Sequence, residues 1–159
     1  MITAFLAAAV MFQPAKQDTQ TYSDIQLGLS FSHPSTWIIE KPLVAKNTKK
    51  GRKLASDAGT VHFRIPLTGA VDDADLIIVR AAFSGSPDTW QKVQMDANQN
   101  LKRQVERQWQ QEILGVPLLL TKIDYSENGS SKVTLTGLLY NDSPNKLLFR
   151  LTGPASDFD

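Results

Sequence analysis

The segment 116–152 reads VPLLLTKIDYSENGSSKVTLTGLLYNDSPNKLLFRLT. It contains three stretches of strand-forming residues separated by two short polar turns. The first turn holds Asn128-Gly129, a pair that accepts positive φ in a type I′ turn, and the second is the polar stretch 141–145. Connections this short join antiparallel strands and cannot make parallel crossovers. The segment therefore predicts an antiparallel meander of three strands, at residues 116–125, 131–140 and 146–152.

Alternating apolar and polar side chains predict two further strands upstream, and two apolar runs predict a short strand and a more deeply buried one. A His33-Pro34-Ser35 turn separates the first two, and an acidic turn at 70–74 joins the last two as a hairpin. The polar stretch 13–24 has little periodicity and predicts a linker, so we expect the domain to begin near Tyr22. The predicted strands are residues 25–32, 37–39, 60–65 and 75–83.

One long helix is predicted between these strands and the meander. Ser86-Pro87-Asp88 combines a capping hydroxyl, a proline at the first turn and a carboxylate at the positive end of the helix dipole. Most of the apolar positions that follow are spaced by four, so the apolar stripe drifts about 40° at each step. We therefore expect a bend or break near residues 98–100. The apolar positions are Trp90, Val93, Ala97, Leu101, Val105, Trp109 and Ile113, and Gly115-Val116-Pro117 ends the pattern.

Length and composition indicate one globular domain of 159 residues with an ordinary core. The chain has no cysteine, which excludes thiolate nucleophiles, cysteine-ligated zinc and iron–sulfur clusters. Its 17 basic and 16 acidic residues nearly balance. A protein that binds nucleic acid needs an excess of basic residues on its surface, so we expect no sequence-specific nucleic-acid binding.

Residues 28–37 resemble the opening of a known family. They read Gly28-Leu29-Ser30-Phe31-Ser32-His33-Pro34 and continue to Trp37. This is similar to the G-x-x-F-x-x-P-x-x-W hairpin of the PsbP-like and Mog1-like α/β/α sandwich proteins. The order of hairpin, long helix and meander continues the resemblance over one domain, residues 22–159.

The resemblance implies an α+β fold with a central antiparallel β-sheet and a long helix packed on one face. It also implies a mostly non-catalytic protein, exported or accessory, that binds a protein partner and needs no cofactor. No functional residues carry over from the family. The family's closing C-terminal helix is missing here, although Ser156-Asp157-Phe158-Asp159 resembles the start of one. We therefore expect a truncated chain, or a partner that covers an apolar patch around Leu135 and Leu147.

The apolar residues 1–12, MITAFLAAAVMF, are long enough for the core of an export signal and too short to span a membrane. We interpret residues 1–21 as a signal-like segment with its linker, which predicts a periplasmic or secreted protein. No basic residue precedes the apolar run and no good cleavage pair follows it. A misplaced start or a first core strand therefore remains an alternative, with a cytoplasmic location if the segment is not cleaved.

Candidate catalytic residues are few. His33 and His62 are the only histidines, and we interpret them as a turn residue and a strand surface residue, since no H-x-x-x-H or HExxH spacing supports a metal site. Ser86 lacks the Gly-x-Ser-x-Gly context of a hydrolase nucleophile and is better explained as a helix cap. The acidic residues 72, 73 and 75 lack the glycine and glutamate of an EF-hand loop. The sequence thus predicts no enzyme.

The loop 46–53 is the most unusual segment, because five of its eight residues are basic: Lys46, Lys49, Lys50, Arg52 and Lys53. These residues are the candidate anion-binding site, for an anionic ligand or a membrane surface. A charged loop that only keeps the protein soluble is the alternative. Two hypotheses follow: a binding domain that engages a protein through a sheet edge or loop, and an anion binder that uses the basic loop.

Overall fold

A computed structural model describes residues 18–25, 27–40, 59–70, 72–113, 115–141 and 145–158. Within them the chain forms nine strands, one α-helix and one turn of 3₁₀ helix. The strands before the helix are β1 (Thr19–Asp24), β2 (Leu29–Pro34), β3 (Ile38–Glu40), β4 (Thr60–Ile65) and β5 (Ala74–Ala82). The helix is α1 (Pro87–Asn100). After it come β6 (Gln104–Ile113), β7 (Val116–Glu127), β8 (Ser130–Leu139), β9 (Asn145–Pro154) and the 3₁₀ turn (Ala155–Asp157).

Seven strands form one antiparallel sheet in the order β3-β4-β5-β9-β8-β7-β6, and β1 pairs with β2 in a separate hairpin. The predicted meander is confirmed as β7-β8-β9. Its first turn places Asn128 and Gly129 at φ values of 52° and 80°, as a type I′ turn requires. The predicted α+β class, a large antiparallel sheet with one helix packed on it, is confirmed.

The main core lies between the seven-stranded sheet and the β1–β2 hairpin, on what we call the hairpin face. Phe63 of β4 lies opposite Leu76 of β5, and both are buried. The Phe63 ring meets the rings of Tyr22 and Phe31 from the hairpin at centroid distances of 5.2 and 5.5 Å, edge to face. The hairpin is therefore held by aromatic packing, since it shares no backbone ladder with the large sheet.

Helix α1 packs on the opposite side of the sheet, which we call the helix face. The Ser86 hydroxyl accepts the Thr89 N–H at 3.2 Å, which confirms the predicted cap. Trp90 packs with Leu119 of β7 and Leu138 of β8, both fully buried. Each of these leucines contributes roughly 1.5–3 kcal/mol through burial, so this small cluster anchors the helix.

The prediction that the helix reaches Ile113 is wrong. The helix ends at Asn100, within the stretch where the drift of the stripe predicted a break, and Lys102 turns the chain with φ 55°. The chain then returns as the strand β6, paired with β7. A spacing of four is two full repeats of a strand, so Trp109 and Ile113 share a face of β6 as they would nearly share a helix face. Both pack against the main core.

The stretch 19–24 is a strand and not the predicted linker, and the strand predicted from Ile25 begins at Leu29. Ile25 lies in the turn between β1 and β2 and is 97% exposed. The Asp24 carboxylate accepts the Leu27 N–H at 2.9 Å, which closes that turn. A polar segment can form the strand β1 here because pairing with β2 supplies its backbone hydrogen bonds. Of its side chains, Tyr22 packs against the core.

The chain continues after β9 with the 3₁₀ turn, and no α-helix occurs in residues 155–158. The Phe158 ring packs against Gly153. The predicted apolar patch around Leu135 and Leu147 is wrong, because both side chains lie on the hairpin face and pack, partly buried, against the main core. Within the described ranges, the part of the sheet that α1 leaves uncovered is on the helix face and carries polar side chains such as Arg150 beside apolar ones such as Ile77.

Among the helices of the described ranges, none is long and apolar enough to cross a membrane.

Candidate functional site

A polar cleft of about 270 Å³ lies on the helix face, where α1 leaves the sheet uncovered. The helix contacts β6 and β7, so none of the described elements covers most of the face formed by β4, β5 and β9. Strand alternation brings side chains from five strands to this cleft, and the turn after α1 adds Arg103. Its polar lining includes His62, Asp75, Arg103, Thr134, Arg150 and Thr152.

The floor of the cleft is a row of directly opposed residues on neighbouring strands. Asp75 of β5 lies opposite Thr152 of β9, which lies opposite Thr134 of β8. The two threonine hydroxyls share a hydrogen bond of 2.9 Å. Only one of the two hydroxyl protons is used in this bond, so the pair can donate one further hydrogen bond.

His62 is held between two carboxylates at one end of the cleft. Its Nε2 lies 2.7 Å from Asp75 and its Nδ1 lies 3.2 Å from Glu40. The Arg64 Nε lies 3.3 Å from the other Glu40 oxygen, so this network ties the short edge strand β3 to β4 and β5. Neither ring nitrogen faces open space, which leaves His62 poorly placed to take a proton from a substrate.

The second histidine belongs to the core. His33 lies on β2, and not in a turn as predicted, and it is 3% exposed. Its Nδ1 lies 2.8 Å from the Pro34 carbonyl oxygen, and its ring stacks on Trp37 at 5.8 Å. The role of His33 is therefore packing under the hairpin.

Two arginines line the cleft, and neither has an acidic partner among the described residues. The Arg103 guanidinium lies over the Tyr125 ring, 4.2 Å from its centroid, which fixes the plane of the guanidinium. Arg150 lies on β9 opposite Ile77 of β5 and is exposed. Within the part of the chain that the structure describes, no carboxylate lies within 4 Å of either guanidinium.

The acidic residues of the β4–β5 turn have separate partners. Asp72 contacts Lys132, Asp73 lies 3.8 Å from Arg64, and Asp75 contacts His62. Hydrogen bonding to Asp72 raises the pKa of Lys132. The three carboxylates are thus distributed over a charged surface, and the described ranges contain no group of three residues placed to hold a metal ion.

The predicted anion-binding residues Lys46, Lys49, Lys50, Arg52 and Lys53 lie outside the described residues, as does the signal-like segment 1–12. The cleft residues Arg103, Tyr125 and Arg150 were not singled out from the sequence. No sequence signal joined Arg150 to residues of the other strands.

The two edges of the sheet differ in length. At one edge β3 has three residues, with Ile38 and Ile39 partly exposed. At the other edge β6 has ten residues, and no described strand pairs with its outer side. A β-bulge between Val105 and Arg107 interrupts the first part of β6. The stretch 107–113 follows it in regular register.

Solved structures show the same architecture at low sequence identity. PsbP (CyanoP) from the cyanobacterium Synechocystis sp. is 16% identical, with a TM-score of 0.60 over 93% of this chain and 87% of that one. The fold is PsbP-like. A protein of unknown function from Pseudomonas aeruginosa, PA94, shares this PsbP-like fold at 16% identity, with a TM-score of 0.52 over 88% of this chain and 85% of that one. No family model and no curated protein matches the sequence.

Proposed function

We propose that this protein is a non-enzymatic accessory domain that binds an extended segment of a protein partner along the outer edge of β6. The ten-residue edge of β6 is the observation that carries this proposal. Every second residue of an edge strand presents its backbone N–H and C=O outward, which is a template for one more strand. At the opposite edge, only three residues of β3 are described.

The side chains of β6 indicate what kind of strand would fit. Trp109 is partly buried against the main core, with the Arg107 guanidinium 5.0 Å from its ring centroid, so an apolar residue would pack beside it. Glu106 pairs with Lys122 at 2.9 Å, whereas Glu112 is exposed and has no cation within 4 Å in the described ranges. A basic residue opposite Glu112 would form an ion pair with its carboxylate. The partner segment is therefore apolar opposite Trp109 and basic opposite Glu112.

The chemistry of the cleft supports a non-catalytic role. Nucleophilic catalysis needs a hydroxyl within hydrogen-bond reach of a base that can accept its proton. The Thr134 and Thr152 hydroxyls bond to each other, and both nitrogens of His62 are occupied by carboxylates. The described residues thus contain no nucleophile and base pair in the cleft.

An extracytoplasmic location is part of this proposal. The apolar segment 1–12 supports it, because an export signal needs an apolar core of this length. The accessory domain would then meet its partner outside the cytoplasm.

A photo-crosslinking amino acid placed at Gln110, an exposed residue of β6, tests the proposal in the native cell. The matched control is Asp96, an exposed residue of α1. We expect a crosslinked protein from position 110 and none from position 96, and the purified partner should slow amide exchange in β6. Crosslinks at both positions, at neither, or only at position 96 would contradict the proposal.

A second candidate function is binding of an anionic ligand or membrane surface through the basic loop 46–53. The density of charge supports it, since five like charges in eight residues attract anionic surfaces in a salt-dependent manner. This function would use a different part of the chain from β6, so the two can be tested separately.

A further inference from the structure

We propose that the polar cleft on the helix face binds a short aliphatic dicarboxylate, with one carboxylate at Arg103 and the other at Arg150. The cleft lies on the open face of the sheet and does not involve the edge of β6, so this activity is additional to partner binding. Its volume of about 270 Å³ is close to the lower end of the roughly 300–1,000 Å³ range of small-molecule sites, which suits a small metabolite.

The two guanidinium groups are the primary evidence. The face of Arg103 is packed on Tyr125, which leaves its N–H groups at the edge of the plane to donate. A guanidinium presents these donors as a fork that matches the two oxygens of a carboxylate. Arg150 has no acidic partner in the described part of the chain and lines the same cleft. Two forks without acidic partners in one cleft indicate a ligand with two carboxylates.

The remaining lining fits the rest of such a molecule. Ile77 lies next to Arg150 on the neighbouring strand and supplies an apolar contact for methylene groups. The Thr134 and Thr152 pair supplies one further hydroxyl donor. Two carboxylates, Asp75 and Glu127, also line the cleft and would repel an anionic ligand. The repulsion is weakened because Asp75 is already bonded to His62 and Glu127 is exposed to solvent.

The test is an NMR titration of the isotopically labelled protein with succinate. We expect saturable shifts at the amides of Ile77, Thr134 and Thr152. Arg150→Gln and Arg103→Gln should each weaken binding at least tenfold, which is about 1.4 kcal/mol, since each change removes a fork of charge-assisted hydrogen bonds. Arg150→Lys should also weaken binding, because it keeps the charge and loses the fork.

Arg107→Gln is the matched control, since Arg107 also stacks on an aromatic ring but lies outside the cleft. This variant should bind succinate as the unaltered protein does. Inorganic phosphate is the comparison anion. Shifts that do not saturate, equal affinity in the Arg103 and Arg150 variants, or tighter binding of phosphate than of succinate would each overturn the proposal. Signals away from the cleft that match those of the unaltered protein would show that a variant has folded.

Discussion

Phe149 of β9 lies directly opposite Gly137 of β8, and its ring occupies the space where a side chain at position 137 would begin. Both residues are buried on the hairpin face. Three ring atoms of Phe149 would lie closer to an added Cβ than real contacts allow. The absence of a side chain at position 137 is therefore what allows a large aromatic ring at position 149.

Replacing Gly137 by alanine should destabilise the fold. The Phe149 ring would have to leave its place in a packed core, and overpacking of this kind costs about 1–3 kcal/mol. Urea unfolding measures the loss, with Ser131→Ala, at an exposed position of β8, as the control. Phe149→Leu should cost less in the Gly137→Ala background than in the unaltered protein. Additive effects of the two changes would show that the ring and the glycine are not coupled.

We expect Tyr22 to make the protein lose stability at alkaline pH. Burial, and then the hydrogen bond to Asp24, raises the pKa of the Tyr22 phenol to about 12. The unfolded chain therefore loses this proton first, near the ordinary tyrosine pKa of about 10. The stabilisation from the protonated phenol is complete below about pH 10 and is lost as the pH rises toward 12.

Urea unfolding at about pH 9 and about pH 11 measures this dependence. The unaltered protein should lose more stability between the two values than Tyr22→Phe, which cannot ionise at that position. An equal loss in the two proteins would contradict the assignment of the alkaline dependence to Tyr22.

The basic loop should bind anionic surfaces in proportion to its charge. Changing Lys49, Lys50, Arg52 and Lys53 to glutamine should abolish retention on heparin or on anionic vesicles, and salt should weaken the retention of the unaltered protein. The control removes basic residues elsewhere, at Lys92 and Arg107. Equal retention of the loop variant and the unaltered protein would leave only the solubility interpretation.

Export would be visible at the N-terminus of the native protein. Sequencing should find a start between about residue 13 and residue 21 if the segment 1–12 is an export signal. Within this range, the structure favours a start at or before residue 19, because β1 begins at Thr19 and pairs with β2 along its whole length. A start at or before Thr19 keeps the hairpin complete. An intact Met1 on a cytosolic protein would disprove export.

Local patterns were enough to predict several elements. Alternation identified β4, an apolar run identified β5, and two short polar turns identified the meander. Ser86 marked the start of the helix. In each of these cases the information lies within a few residues of the chain, because a turn or a cap is formed by its own side chains and backbone.

Other elements depended on partners that are distant in the sequence. The strand β1 is polar, and only its ladder with β2 makes it a strand. The stretch 104–113 has a spacing that suits a helix and a strand alike, and pairing with β7 decided between them. The cleft is lined by Arg103, Tyr125 and Arg150 because sheet register and the end of α1 place them there. The sequence by itself thus determined the start of the helix, the strands β4 and β5 and the meander. Tertiary structure decided β1, β6 and the cleft, since the residues of the cleft are neighbours only after the strands have paired.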